Sequence, residues 1–86
     1  MRMREAALVP GELTMLVRED CVYCHRARAW LAAERIPFRE CDIERDSACA
    51  RQYAELHAPG TPVFLVRGRV QLGWSPQALA DLIKPR

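Results

Sequence analysis

The sequence lacks a dominant charge, a long apolar run and any block of like charges. Thirteen Lys and Arg residues against eleven Asp and Glu leave a net charge of only +2, too little to point to nucleic acid or an anionic membrane as the main partner. No run of like charge is long enough to act as a binding tail. Nothing approaches the roughly 20 apolar residues of a membrane-spanning helix. The amino terminus, Met-Arg-Met-Arg-Glu-Ala-Ala-Leu-Val-Pro-Gly, begins with positive charge, but its apolar stretch from Ala6 to Val9 is far shorter than an export-signal core. The expectation is a soluble, cytoplasmic protein, a monomer, whose cysteines are kept chiefly as thiols. There is no internal repeat, low-complexity segment or linker.

What is present is ordinary globular composition. Half of the 86 residues are hydrophobic and 28% are charged, which excludes disorder. A chain of this length makes one domain and buries only about 60% of its unfolded surface, so its stability is modest. Four cysteines stand out: Cys21, Cys24, Cys41 and Cys49. Without an export signal, a close pair among them reads as redox chemistry or metal binding rather than as a disulfide framework.

Residues 1–11 carry no clear periodicity and end in the turn pair Pro10-Gly11, a loose lead-in to a domain over residues 12–86. Leu13 to Val17 is a short apolar run that suits a buried strand. From Cys21 the pattern turns helical, with Cys24, Ala27 and Leu31 on one face and Trp30 beside them. Ile36-Pro37 is the expected stop, because a residue before proline is pushed out of helical geometry. Phe38 to Ile43 reads as a second strand, in which Cys41 and Ile43 share a face. Asp46 or Ser47 can cap a helix to about His57, with Cys49, Tyr53 and Leu56 on one stripe. After the break Ala58-Pro59-Gly60-Thr61-Pro62, Val63 to Val66 and Arg69 to Leu72 flank Arg67-Gly68, a hairpin signal. Ser75 caps a last helix with Pro76 at its first position, Leu79, Leu82 and Ile83 as its buried stripe, and Pro85 as its stop. The order is β-α-β-α-β-β-α. Its opening favours a right-handed parallel crossover, its closing hairpin adds antiparallel strands, and helices cover both faces of the sheet.

Cys21-Val22-Tyr23-Cys24 follows a strand and opens a helix. Thiols three residues apart on a first helical turn lie close enough for a disulfide. The first also faces unpaired backbone N–H groups and the positive end of the helix dipole. Both favour the thiolate, which is the nucleophile; the second cysteine stays a thiol until it resolves a mixed disulfide. Arg18, Arg26 and a protonated His25 would reinforce the thiolate, and Glu19 and Asp20 would oppose it. Further along, Gly60-Thr61-Pro62-Val63-Phe64 sets a Thr-Pro bond before a buried strand, a place for a cis peptide. Opposite Cys21, the Thr61 backbone there would pair with an incoming peptide like an added strand.

The residues from 13 to 83 resemble the glutaredoxins and the closely similar small redoxins that supply electrons to ribonucleotide reductase. The resemblance implies a thioredoxin fold, α/β, with a four-stranded mixed sheet and three helices. It implies a thiol–disulfide oxidoreductase that reduces protein disulfides or glutathione mixed disulfides. Cys21 would be its nucleophile and Cys24 its resolving thiol. Tyr23 matches the aromatic residue inside the family motif, and Thr61-Pro62 matches its cis-proline loop. Arg18 stands where many members place a lysine that contacts a glutathione carboxylate. Two departures matter. Val22 replaces a common proline. Gly73-Trp74-Ser75-Pro76 replaces the Gly-Gly-x-Asp type segment that holds glutathione, and looks instead like the redoxins served by thioredoxin reductase. The implied contacts for substrate or glutathione are Arg18, Tyr23, Thr61, Pro62, Gly73 and Trp74. The implied partners are a disulfide-containing protein, with glutathione or thioredoxin reductase as electron source. No bound cofactor is implied, only glutathione as co-substrate.

Three metal readings compete. Cys21-Val22-Tyr23-Cys24-His25 satisfies the pattern for covalent haem attachment, but the strand-rich pattern and the absent export signal oppose it. Zinc would need Cys21, Cys24 and two of His25, Cys41, Cys49 or His57, and the later residues form no second close pair. An iron–sulfur cluster shared between two copies, with glutathione, follows only from the family resemblance. Cys41 and Cys49 lie on apolar faces and read as unpaired core residues, small hydrophobes in effect. Tyr53 and His57 read as packing or surface residues, and His25 as a solvent-facing neighbour of Cys21. Trp74 either shapes a substrate groove or anchors the core.

Overall fold

A computed structural model describes residues 8–84. The first seven residues of the expected lead-in, and the expected helix stop Pro85, lie outside the described residues.

The chain builds β1 (Leu13–Val17), α1 (Val22–Ala33), β2 (Arg39–Asp42), α2 (Ser47–Glu55), β3 (Val63–Val66), β4 (Arg69–Leu72) and α3 (Pro76–Ile83). They form one four-stranded sheet in the order β2-β1-β3-β4. β1 and β2 are parallel, with Leu16 beside Cys41, and β3 runs antiparallel to both β1 and β4. This is the expected α/β thioredoxin-type architecture, with a parallel crossover opening and a hairpin close.

β1 is apolar along nearly its whole length because both of its faces are covered. Leu13, Met15 and Val17 point into one core with Cys24, Ala27 and Leu31 of α1, Phe64 and Val66 of β3, and Leu79, Leu82 and Ile83 of α3. Leu16 points the other way, into a smaller core with Cys41, Cys49 and Val63, against which Tyr53 and Leu56 pack. The sheet therefore separates an α1/α3 layer from an α2 layer. The side on which each cysteine falls follows from this division.

α2 ends at Glu55, short of His57, and the ends of α1 and β2 also differ from the periodicity. α1 stops before Pro37 comes into play. Arg35 takes a left-handed conformation, φ 56°, and the Arg35 and Ile36 N–H groups donate back to the Ala32 and Leu31 carbonyls at 3.1 and 2.9 Å. That is a Schellman closure, sealed by buried Ile36 against Leu31, with arginine where glycine is usual. β2 is shorter than Phe38 to Ile43, although Cys41 and Ile43 do share a face. The hairpin turn needs positive φ at both loop residues, and Arg67 at 50° and Gly68 at 82° supply it. Arg67 is held there by Glu12, whose carboxylate it meets at 3.1 Å, and by the Ile83 carbonyl, to which it donates at 3.2 Å.

Candidate functional site

Where β1 gives way to α1, Cys21 is the helix N-cap, in extended geometry at φ −135° and ψ 103°. A sulfur takes the part that a Ser or Asp oxygen plays in most helices. Cys21 Sγ accepts the Cys24 N–H at 3.1 Å. It also accepts the Thr61 hydroxyl at 3.2 Å. Two donors from different parts of the chain thus converge on one sulfur, at the positive end of a twelve-residue helix.

Cys21 and Cys24 are joined as a disulfide, with their Cα atoms 5.2 Å apart. The two sulfurs differ in access. Cys21 is half-buried at the surface of the larger core, while Cys24 is wholly inside it. Beside Cys21, Val22 and Tyr23 stand 63% and 55% exposed, an apolar shoulder at the more accessible sulfur of the pair. The Arg26 guanidinium lies over the Tyr23 ring, 5.6 Å from its centre.

The far wall comes from the loop before β3. The Thr61–Pro62 peptide is cis and Pro62 is fully buried. The Pro62 carbonyl accepts the Gly73 N–H at 3.0 Å, which ties the segment before α3 to the loop that touches Cys21. Trp74 packs edge-to-face on Trp30, with ring centres 5.8 Å apart, and lies 6.0 Å from Phe64. It is thus built into the larger core rather than standing free. Ser75 caps α3 by accepting the Ala78 N–H at 3.2 Å. Cys21, Cys24, Thr61, Pro62 and Gly73 are therefore joined by direct bonds, Tyr23 flanks them, and Trp74 follows Gly73.

The charged neighbours are arranged less simply than their sequence positions suggest. The Arg18 guanidinium sits over the Tyr53 ring, 5.4 Å from its centre, which ties it to α2. Glu19 meets Arg45 at 3.3 Å. Arg28 lies within 2.9 Å of His25 Nδ1; since a guanidinium only donates, Nδ1 is the acceptor.

The sequence profile of the glutaredoxin family matches residues 13–71. The chain belongs to the glutaredoxin family. Solved structures agree on the fold. The glutaredoxin grx-1 from Archaeoglobus fulgidus is 21% identical with TM-score 0.72, covering 86% of this chain and 87% of its own. Glutaredoxin 1 from Francisella tularensis, solved with cacodylate, is 22% identical with TM-score 0.66, covering 83% and 93%. The thioredoxin-like protein BC3987 is 21% identical with TM-score 0.75, covering 81% and 97%. No curated protein matches the chain by sequence. Family membership, with Cys21 and Cys24 at disulfide distance, makes thiol–disulfide exchange the chemistry class of this glutaredoxin-family domain.

Cys41 and Cys49 correct the sequence reading. Both are buried, as expected of core residues, but they are not unpaired. They form a second disulfide, with Cα atoms 5.6 Å apart. Nothing in the spacing announces it, because the contact depends on how α2 folds back over β2. The same placement removes the zinc reading. Cys41 and Cys49 lie in the α2 layer and Cys24 in the α1/α3 layer, so the four sulfurs do not converge. Among the described residues no group of three or more His, Cys, Asp or Glu is placed to hold a metal ion. The strands that opposed the haem reading form a four-stranded sheet at the centre of the molecule. No helix among the described residues is long and apolar enough to cross a membrane.

Proposed function

We propose that this glutaredoxin-family domain is an enzyme that reduces protein disulfides, with Cys21 as attacking thiol and Cys24 as resolving thiol. One observation carries the assignment of roles: the accessible sulfur is the one that receives two hydrogen bonds at a helix N-terminus, whereas its partner is sealed in the core. Donors to a sulfur anion favour it over the thiol.

In the reduced protein the Cys21 thiolate attacks one sulfur of a substrate disulfide. A bond forms between Cys21 Sγ and that sulfur, the substrate S–S bond breaks, and the other sulfur leaves as a thiolate that takes up a proton. Cys24 loses its proton to solvent or to a leaving thiolate and attacks Cys21 Sγ. The mixed disulfide breaks, the second substrate thiol departs, and the Cys21–Cys24 disulfide remains. Two electrons have passed from the pair to the substrate. Glutathione mixed disulfides are the second substrate class, for which Cys21 alone suffices when glutathione replaces Cys24.

Substrate contact falls to the shoulder and wall around Cys21. Tyr23 supplies exposed apolar surface, and Thr61 and Pro62 border the sulfur. Gly73 and Trp74 hold the adjoining loop, and Arg18 lends a cation at the rim. For the electron donor, the first turn of α3 favours thioredoxin reductase over glutathione. Pro76 has no N–H, and the Ala78 N–H is already taken by Ser75, which leaves little to receive a glutathione carboxylate. No bound cofactor enters this scheme. A cytoplasmic monomer is the setting that fits it, since a thiol-reducing compartment keeps a dithiol of this kind charged with electrons.

The test is substitution at the two sulfurs. Cys21→Ser abolishes disulfide reduction, while Cys24→Ser accumulates mixed disulfides that mass spectrometry resolves. Turnover by Cys21→Ser at the wild-type rate would refute the assignment.

A further inference from the structure

The Cys41–Cys49 disulfide lies apart from the redox site, yet what it encloses touches that site. Cys41 is on β2 and Cys49 is three residues beyond the α2 cap Asp46, eight residues apart in sequence. The loop between them, residues 42–48, is joined to the segment that leads into Cys21. The Ile43 N–H donates to the Val17 carbonyl at 3.0 Å. The Glu19 N–H donates to Glu44 Oε1 at 3.2 Å, and Arg45 meets Glu19 at 3.3 Å. Farther along α2, Tyr53 lies under Arg18. Residues 17–19, on the approach to the attacking sulfur, thus rest on a platform whose two ends are tied together by this bond.

The two cysteine pairs are chemically distinct. At Cys21 the sulfur is itself the helix cap and faces N–H donors. At Cys49 that part is taken by Asp46, whose carboxylate accepts the Ala48 and Cys49 N–H groups at 2.8 and 3.2 Å. The helix end is already satisfied there by a negative charge, which opposes a thiolate beside it. Cys41 and Cys49 are also only 5% and 2% exposed, so exchange requires the first turn of α2 to open. The sheet lies between the pairs, so neither can pass a disulfide to the other within one molecule.

We propose that Cys41–Cys49 is a slow regulatory disulfide that braces the 42–48 loop, and through it the position and reactivity of Cys21. It rests on the redox reading of Cys21 given above. Oxidation joins the two thiols and transfers two electrons and two protons to a low-molecular-weight disulfide, which is released as two thiols. Reduction by a low-molecular-weight dithiol is the reverse: the dithiol is oxidised to its disulfide and Cys41 and Cys49 become free thiols. In a compartment where disulfides do not persist as inert staples, such a bond reports the thiol–disulfide balance. When it opens, the platform loosens and Cys21 loses reactivity.

The experiment uses the whole protein. A time course with reduced dithiothreitol is quenched by alkylation, and each cysteine is read by mass spectrometry. Cys21 and Cys24 are expected to label in a fast phase and Cys41 and Cys49 in a separate slow one. Protein sampled between the phases is compared with fully reduced protein and with Cys49→Ala, after the Cys21–Cys24 pair is reduced in all three. The expected result is a fall of about threefold or more in the alkylation rate of Cys21 when the second bond is absent. Faster hydrogen exchange at residues 17–19 and 42–48 should accompany it. Labelling of Cys41 and Cys49 together with Cys21, or an unchanged Cys21 rate without the second bond, overturns the proposal. Should Cys49→Ala fail to fold, the two wild-type states decide. Neither readout is substrate turnover: loss of turnover with coupling intact would defeat the proposed function and leave the brace standing.

Discussion

The Thr61 hydroxyl donates to the sulfur of Cys21 across forty residues of sequence, at 3.2 Å. This bond makes the loop before β3 part of the nucleophile's environment. In the sequence, Thr61 had suggested only a backbone partner for an incoming peptide. Its side chain proves to touch the reacting atom.

Thr61→Val keeps the branched shape and removes the donor. A hydrogen bond to a charged group contributes about 1.5–3 kcal/mol, and the partly exposed site points to the lower end. Turnover should fall about tenfold, and the pH profile of Cys21 alkylation should move upward. Thr61→Ser should restore both. A profile unchanged in Thr61→Val would show that the hydroxyl does not support the thiolate.

The electron donor is open to a paired assay on one disulfide substrate. One arm supplies thioredoxin reductase, the other glutathione with glutathione reductase. The capped first turn of α3 predicts faster turnover with thioredoxin reductase. Equal or greater turnover with glutathione would show that Ser75 and Pro76 do not keep glutathione out.

Arg28 and Glu40 form a two-pronged ion pair between α1 and β2, with both contacts at 2.7 Å. The hydrogen bond from Arg28, followed by its charge, holds the Glu40 carboxyl below its ordinary value of 4.5, against the opposing effect of burial. A depressed carboxyl stabilises the fold above its ordinary value, and that contribution is lost as pH falls through the lowered one. Both side chains are about one-third exposed, at 35% and 37%, so solvent screening limits the pair to about 0.2–1 kcal/mol. Glu40→Gln should lower the urea midpoint at pH 7 and converge with the wild type in acid, once pH has fallen through the lowered Glu40 value. A constant difference at both pH values would assign the effect to packing instead.

Arg35 and Arg67 share positive φ but not surroundings. Arg35→Gly removes a Cβ from a left-handed helix terminus where the side chain is exposed. It should stabilise by roughly 0.5–1 kcal/mol after the entropy of glycine is counted. Arg67→Gly gains the same backbone relief but loses Glu12 and the Ile83 carbonyl, so no net gain is expected. Urea midpoints of the two variants make the comparison. A larger gain at residue 67 would reverse the physical account of the hairpin.

Much of the fold was legible because its signals are local. Leu13 to Val17 and Val63 to Val66 read as buried strands and form them. Ser75 caps α3 with Pro76 at its first position, and Arg67-Gly68 turns the hairpin. The end of α1 was misread because Pro37 is a louder signal than Arg35. An arginine in left-handed geometry carries no mark in sequence, and only the closure over buried Leu31 and Ile36 selects it. Tyr53 was likewise invisible as a neighbour of Arg18, since α2 brings the two together from distant segments.

By itself the sequence determined the element order and the sulfur pair at the start of a helix, because strand periodicity, caps and a three-residue spacing act within a turn or two of chain. Tertiary structure decided which sulfur is reachable, that Thr61 bonds to it, and that Cys41 and Cys49 are joined. Those outcomes depend on which face of the sheet each helix covers, and that is settled by burying two apolar layers at once. Contacts made in doing so link residues that no local pattern connects.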